Sequence, residues 1–214
     1  MKRDDFIRAN TAILRPPHVP EIRLHLADEA HGLWQKTETE LDAIGLPPPF
    51  WAFAWAGGQG LARHVLDHPD CVAGRTVLDF AAGSGLMAIA AAMAGAAVVT
   101  AVDTDPFCGD AIRLNANLNG VAIGFDGSDR IGGAVAADML LAGDVFFDRE
   151  LAARLIPWFD DLARGGVTIL VGDPGRAYLP RDRLERLATY AVPVTRALED
   201  AEIKQVSVWR WRPA

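Results

Sequence analysis

Thr76-Val77-Leu78-Asp79-Phe80-Ala81-Ala82-Gly83-Ser84-Gly85-Leu86-Met87-Ala88 is the stretch on which the fold turns. Thr76 to Phe80 is β-branched or apolar apart from one acid and reads as a buried strand. Ala81 to Gly85 is made of small residues and glycines, so it reads as a sharp turn. Leu86 to Met93 is an Ala-rich helix stopped by Gly95. A strand, a glycine turn and a helix in that order open a βαβ unit.

The same rhythm continues outward. Ala97 to Val102 is a second strand ending in Asp103-Thr104-Asp105-Pro106, where Asp105 is a good helix N-cap and Pro106 suits the first helical position. That helix stops at Asn119-Gly120. Strands follow near Val121–Phe125 and Asp138–Gly143, then a helix from about Arg149 to Ala163 and a buried strand from Val167 to Val171. Strands alternating with helices imply an α/β fold with a parallel sheet covered on both faces. A helix is expected over Arg181–Tyr190. Ala191–Ala197 and Gln205–Trp211 read as strands joined by a turn at Glu199-Asp200-Ala201, which makes them an antiparallel hairpin. The expected architecture is therefore a Rossmann-like seven-strand methyltransferase sheet, mostly parallel with an antiparallel C-terminal hairpin. Upstream, residues 1–49 hold prolines (Pro16, Pro17, Pro20 and Pro47 to Pro49) and a helical stretch from about Ala27 to Ile44. They read as an N-terminal arm or lid laid on a following domain at 50–214.

Composition limits the function. The chain has 214 residues, 50% hydrophobic and 23% charged, which excludes disorder, collagen-like repeats and a disulfide scaffold. A formal net charge of −7 argues against a broad nucleic-acid or anionic-lipid surface, so neither nucleic acid nor membrane is expected as a partner. Cys71 and Cys108 form no CxxC and read as reduced thiols. The start, Met1-Lys2-Arg3-Asp4-Asp5-Phe6, is too acidic for a targeting signal, and the apolar run Leu86–Ala101 is too short to span a bilayer. A cytoplasmic protein is expected. His64 and His68, four apart on a helix, read as surface histidines and no metal site is expected.

The glycine loop admits two ligands. Gly83-Ser84-Gly85-Leu86-Met87-Ala88 satisfies the dinucleotide pattern, with Asp103 about twenty residues downstream, so NAD(P) is the competing reading. Asp79 just ahead of the loop favours S-adenosylmethionine, because a carboxylate there repels pyrophosphate but suits an amino-acid ammonium. Asp103 would accept from ribose hydroxyls. Ser128 and Asp129 are the candidates for adenine, with Asp126 as competitor.

Several segments together resemble one family. Phe50-Trp51-Ala52-Phe53-Ala54-Trp55-Ala56-Gly57-Gly58-Gln59, the glycine loop, Asp103-Thr104-Asp105-Pro106, Gly143-Asp144-Val145-Phe146-Phe147-Asp148 and Gly172-Asp173-Pro174-Gly175-Arg176 occur in this order. They resemble the electron transfer flavoprotein beta-subunit lysine methyltransferases over essentially the whole chain. The resemblance implies transfer of methyl groups from S-adenosylmethionine to lysine side chains of that flavoprotein's beta subunit. It implies cofactor contacts at Asp79, Ala81, Gly83, Gly85 and Asp103, and places Trp55 and Gln59 near cofactor and target. It puts the family's Asp-x-x-Tyr element on Asp144 to Phe147. This chain departs from the family at Ala81, where a glycine is usual, at Ala56, where Pro is usual, and at Phe147, where Tyr is usual.

The chemistry sets its own demands. Displacement at a sulfonium methyl needs the amine held about 3–3.5 Å away and in line with the leaving sulfur. The lysine must be neutral, which at pH 7 costs roughly 4.6 kcal/mol from a reference pKa of about 10.4. An aromatic, water-poor channel built from Trp51, Trp55, Phe146 and Phe147 lowers that cost. Asp144 would orient the amine. Trp51 and Trp55, four apart, also fit one face of a core helix; the glycines after them favour a site. Asp173-Pro174-Gly175 is a tight turn that either touches the cofactor or only shapes a loop, and Arg176 reads as a solvated arginine, with contact to an acidic partner as the alternative. Other functions to separate are methylation of another protein such as a ribosomal protein, or of a small amine; a NAD(P)-dependent oxidoreductase; and a non-catalytic binding module.

Overall fold

Strand β3 (Thr76–Phe80) is an inner strand, third from one edge, of a seven-stranded sheet, in a computed structural model that describes residues 2–28, 33, 48–194 and 202–214. Ahead of it come helix α1 (Arg3–Ala9), a small antiparallel pair β1 (Ala12–Leu14) and β2 (Leu24–Leu26), a 3-10 turn at Phe50–Ala52, α2 (Ala56–Asp67) and a further 3-10 turn at Pro69–Cys71. After it run α3 (Leu86–Met93), β4 (Val98–Val102), α4 (Pro106–Asn119), β5 (Gly124–Asp126), β6 (Met139–Gly143), α5 (Arg149–Arg164), β7 (Thr168–Asp173), β8 (Leu184–Pro193) and β9 (Ile203–Trp211).

The sheet order is β5-β4-β3-β6-β7-β9-β8, and every pairing from β5 to β7 is parallel. The chain first winds outward through β4 and β5, then returns to the other side of β3 with β6. The order thus reverses between β3 and β6, and a crevice opens there beyond the carboxyl ends of the strands. β9 runs against both β7 and β8, closing the sheet with the expected antiparallel hairpin.

Local chemistry explains most boundaries. Asp105 accepts from the Phe107 N–H at 2.8 Å, a cap worth about 1 kcal/mol, and Gly120 ends α4 in the left-handed region at φ +66°. Asp148 caps α5 by accepting from Leu151. Helix α2 is less obvious, since Gly57, Gly58 and Gly60 each cost a helix about 1 kcal/mol. They are there for closeness: a Cβ on Gly57 would lie 2.3 Å from the Gly172 carbonyl oxygen, and one on Gly143 would lie 2.9 Å from the Gly58 Cα. The first turn of α2 therefore rests directly on the ends of β6 and β7.

One element differs from expectation. Residues Arg181–Tyr190 are not a helix: a 3-10 turn at Arg181–Arg183 leads into strand β8, which pairs with β9 from Leu184–Trp211 to Pro193–Ile203 with an irregularity between Arg186 and Ala188. Leu, Glu, Arg and Ala favour a helix locally, but the backbone of β9 offers a long row of partners and overrides that weak preference. The expected hairpin turn at Glu199-Asp200-Ala201 lies outside the described residues, as does nearly all of the expected helix from Ala27 to Ile44. The described part of the arm is laid on the domain: Ile7, Val19, Ile22 and Leu24 are buried in the same cluster as Leu61, Ile89 and Ile112. No helix among the described residues is long and apolar enough to cross a membrane.

Candidate active site

A cavity of about 630 Å³ fills the crevice between β3 and β6, within the usual size of a small-molecule site. One side is the glycine loop, Phe80 to Ser84, with Leu86 and Met87 behind it; the other is Gly143 to Val145 with Phe147. Asp103 and Asp105 stand at the end of β4, and Ser128 and Asp129 on the loop after β5.

The loop's backbone is bent to make room. Gly83 has φ +50° and Gly85 φ +78°, and Ala81 shares the left-handed region at φ +53° despite its Cβ. Asp103 ties this loop to β4. Its Oδ2 accepts from the Gly83 N–H at 2.9 Å and its Oδ1 from the Asp105 N–H at 3.0 Å. An oriented carboxylate on the cavity wall suits a ribose diol and repels a diphosphate. Asn115 of α4 adds a second tie, accepting from the His25 N–H at 2.7 Å and donating to the Ser84 carbonyl at 2.8 Å, so the arm is coupled to the loop.

Asp79 is placed one layer back from where the sequence put it. It is fully buried, does not line the cavity, and its Oδ2 accepts from the Ala88 N–H at 2.8 Å in the first turn of α3. Its Oδ1 has no partner among the described residues. Burial pushes the carboxyl up to about 8, against the pull of the Ala88 N–H, with the nearby Asp103 charge adding to the rise. Asp79 therefore ties the loop to the helix from behind the cavity wall.

At the far wall, Asp144 sits in the left-handed region at φ +58°, which turns its side chain in toward α2. Its Oδ2 accepts from the Gly58 N–H at 3.1 Å. Its Oδ1 accepts from Arg176, from Nε at 2.9 Å and Nη2 at 2.5 Å. Arg176 is thus a cavity residue, not the solvated arginine expected from sequence. The Asp173 turn delivers it: Asp173 Oδ1 accepts from the Gly175 and Arg176 N–H groups at 2.6 and 2.7 Å. Asp173 is buried off the cavity, and desolvation pushes its carboxyl above the ordinary range, so its place is that of a loop builder. The GDPGR segment held this signal, but nothing local tells where Arg176 reaches.

The aromatic wall is assembled from partly different rings than expected. Phe50, Trp55 and Phe147 line the cavity mouth, with Phe50 centred 5.8 Å from Trp55 and 6.0 Å from Phe147. The Trp55 indole N–H donates to the Phe50 carbonyl at 3.2 Å, and Phe53 lies edge-on to Trp55 at 5.9 Å. Trp51 and Phe146 point the other way. Trp51 is buried and stacked on Phe107, and Phe146 is buried and stacked on Trp211, so both belong to the core. Gln59 is also structural: it donates to the Ala54 carbonyl at 2.8 Å and accepts from the His18 N–H at 3.2 Å, joining arm to α2 away from the cavity. Phe50, Phe53 and Pro48 are cavity residues that sequence reasoning missed, although Phe50 and Phe53 stand in the aromatic segment that had been singled out.

Around the adenine candidates, Ser128 and Asp129 do face the cavity. Asp126, the competitor, is turned away to accept from Ser128 at 2.7 Å and from Arg130 at 2.5 Å. Asp129 is paired with Arg154 at 2.5 Å, and that hydrogen bond, with one from the Ile131 N–H, holds its carboxyl below the ordinary range. His64 is buried, not at the surface, and shares a hydrogen bond with the Tyr190 hydroxyl at 3.1 Å. The residues present fit S-adenosylmethionine: a bent small-residue loop, a carboxylate on the cavity wall that could accept from a diol, and an apolar lining of Leu86, Met87 and Val102.

Known proteins bear on this geometry. A family model for ribosomal protein L11 methyltransferase matches residues 64–142. The chain is 38% identical over 215 residues to the electron transfer flavoprotein beta subunit lysine methyltransferase of Xenopus laevis, covering 97% of this chain and 86% of that protein. Among solved structures, the ribosomal protein L11 methylase of Lactobacillus delbrueckii subsp. bulgaricus superposes with a TM-score of 0.54 at 21% identity, over 76% of this chain and 81% of that one. The magnesium protoporphyrin IX methyltransferase of Synechocystis, solved with SAH bound, superposes with a TM-score of 0.52 at 16% identity, over 74% and 84%. At such identities the two structures speak for the fold alone.

Proposed function

This chain belongs to the electron transfer flavoprotein beta subunit lysine methyltransferase family, and from that premise we propose that it methylates lysine side chains of such a beta subunit, using S-adenosylmethionine. One observation carries the reading at the level of the site. The Asp103-tied glycine loop and the Asp144 carboxylate open on one cavity whose mouth is ringed by Phe50, Trp55 and Phe147.

S-adenosylmethionine, when bound, supplies an electrophilic methyl group. The protein does the rest by placement. Asp103 would accept from the ribose hydroxyls, Gly83 would let the chain pass close to the cofactor, and Ser128 and Asp129 would meet its adenine, whereas Gly85 lies off the cavity, where a Cβ would come 2.9 Å from Ile112. A lysine side chain enters past Phe50, Trp55 and Phe147, which exclude water and disfavour the ammonium form. Their faces also accommodate the cationic product. Asp144 accepts an N–H from the amine and fixes its direction. Phe147, in place of the usual Tyr, contributes a wall without a hydroxyl.

The ribosomal-protein alternative draws on the match over residues 64–142. That match ends two residues before Asp144 and so covers the cofactor half, not the target half. The net charge of −7 supports a protein target over nucleic acid, and the two free cysteines support a reducing, cytoplasmic setting.

The experiment is incubation with recombinant flavoprotein and S-adenosylmethionine, followed by mass spectrometry of the beta subunit. Lysine-borne increments of about 14 Da, one CH₂ each, are expected, and Asp144→Asn should lower their rate at least about 100-fold, on the scale of losing a transition-state contact, while leaving S-adenosylhomocysteine affinity within about threefold (under about 0.7 kcal/mol). A protein that binds S-adenosylhomocysteine yet adds no methyl group would overturn the reading and favour a binding module. Stabilisation by NAD in place of S-adenosylhomocysteine would favour the oxidoreductase.

A further inference from the structure

We propose that Arg176 is a positioning residue that keeps the target amine neutral, by pairing with Asp144 and offsetting the negative charge that Asp144 brings to the lysine site. The inference rests on the lysine-methyltransferase reading above and deepens it.

The problem it solves is electrostatic. A carboxylate that orients a lysine amine also favours the ammonium form, and the ammonium has no lone pair to attack with. An orienting acid alone would therefore raise the amine's pKa and work against the reaction. Arg176 removes the conflict. Its Nε and Nη2 both donate to Asp144 Oδ1, at 2.9 and 2.5 Å, so the incoming amine meets a carboxylate already matched by a cation. A guanidinium keeps its proton at any pH in question, so this charge is permanent. The pair is also sheltered: the Arg176 side chain is 21% exposed and that of Asp144 10%.

The local structure is built to hold the arginine there. Asp173 fixes the turn through the N–H groups of Gly175 and Arg176, and Gly175 takes φ +99°, a conformation a side chain would resist. On the opposite side, the Gly58 N–H holds Asp144 Oδ2. The carboxylate is thus clamped between α2 and the turn after β7.

Other charges face the same cavity. At the end of β4, Asp103 accepts from two backbone N–H groups and Asp105 from one. On the loop after β5, Asp129 is paired with Arg154, and Arg130 with Asp126. Asp173 and Arg181 lie on the far side of the Arg176 turn. Arg176 is a cation in direct contact with Asp144, so its loss acts directly on the amine. A unit charge about 6 Å away shifts an amine by about two pK units at a typical effective dielectric, and water screening about halves that.

The test is the pH dependence of kcat at saturating cofactor and flavoprotein, which reports the bound amine. In the wild type the rising limb, where the amine loses its proton, should lie at or below the free lysine value of about 10.4, despite the adjoining Asp144. In Arg176→Gln it should move up by about one pH unit, leaving a roughly tenfold deficit at pH 7.5 that narrows only once the pH passes the wild-type limb. Arg176→Lys should keep the wild-type limb, and a flavoprotein bearing the less basic aminoethylcysteine at the target position should lower the limb of wild type and Arg176→Gln alike. Unchanged S-adenosylhomocysteine affinity and thermal unfolding identify folded variants.

A deficit of equal size at every pH, with the limb unmoved, overturns the inference. So does a wild-type limb above the free lysine value, a measurement that needs no variant to fold. A wild-type protein that adds no methyl groups at any pH removes the lysine reading itself, and this inference with it.

Discussion

Asp79→Asn should flatten the dependence of stability on pH between about 4 and 8. Asp79 is wholly buried, its Oδ2 accepts from the Ala88 N–H, and its carboxyl is pushed from 3.8 up to about 8. Between those values the folded protein keeps a proton that the unfolded chain has released. Stability must then fall as pH rises across that window, at about 1.4 kcal/mol per pH unit for one proton. From pH 5 to pH 8 that amounts to about 3–4 kcal/mol, and local opening that lets water reach the charge caps it nearer 2–3 kcal/mol. Asn keeps an acceptor for Ala88 and has no proton to lose, so the variant lacks this slope. Other groups titrate too. Asp105 and Asp173 are raised by burial and act in the same sense as Asp79, whereas burial lowers His18, His25 and His64, whose stability increases with pH through the ordinary histidine range. These contributions cancel in the difference between wild type and variant. Urea unfolding followed by fluorescence at pH 5 and pH 8 measures that difference directly, since the chain has six tryptophans. Parallel pH dependences in the two proteins would refute the placement of Asp79 as a buried, proton-retaining acid.

Three further outcomes follow from the same geometry. Asp103→Asn leaves one of the Gly83 and Asp105 N–H groups facing an amide NH₂, and calorimetry should show S-adenosylhomocysteine bound about 10–100-fold more weakly, a loss of about 1.5–3 kcal/mol; unchanged affinity would remove Asp103 from the cofactor site. Ala81→Gly relieves the left-handed strain at φ +53°. Relief of roughly 1–2 kcal/mol, less about 0.4–1 for the freer unfolded chain, should raise Tm by about 1–4 °C, and a fall in Tm by calorimetry would contradict it. Gly57→Ala puts a Cβ 2.3 Å from the Gly172 oxygen and 2.5 Å from Asp144 Oδ2. Thermal unfolding should show a loss of about 1–3 kcal/mol together with a collapse of methyl transfer, and a stable, active variant would show that α2 does not rest on the strand ends as described.

What could be read directly in the sequence was whatever is decided within a few residues. The strand, loop and helix from Thr76 to Met93, the Asp105-Pro106 start and Gly120 stop of α4, and the covered parallel strands were all legible, because side-chain period, caps and φ preferences act locally. The segment from Phe50 to Gln59 was legible as important but not as to which ring goes where. Trp51 and Phe146 turn into the core and Phe50 into the cavity, a choice set by packing against Phe107 and Trp211, which come from distant parts of the chain. β8 became a strand for a similar reason: a partner backbone outweighed helix-favouring residues. Asp79 shows the limit most clearly. Its sequence position beside the glycine loop suggested a ligand contact, but a strand residue faces one side or the other, and this one faces α3. The meeting of Asp144 with Arg176, 32 residues apart, was likewise decided only in three dimensions, where β6 and β7 lie side by side and bring the ends of two strands to one wall.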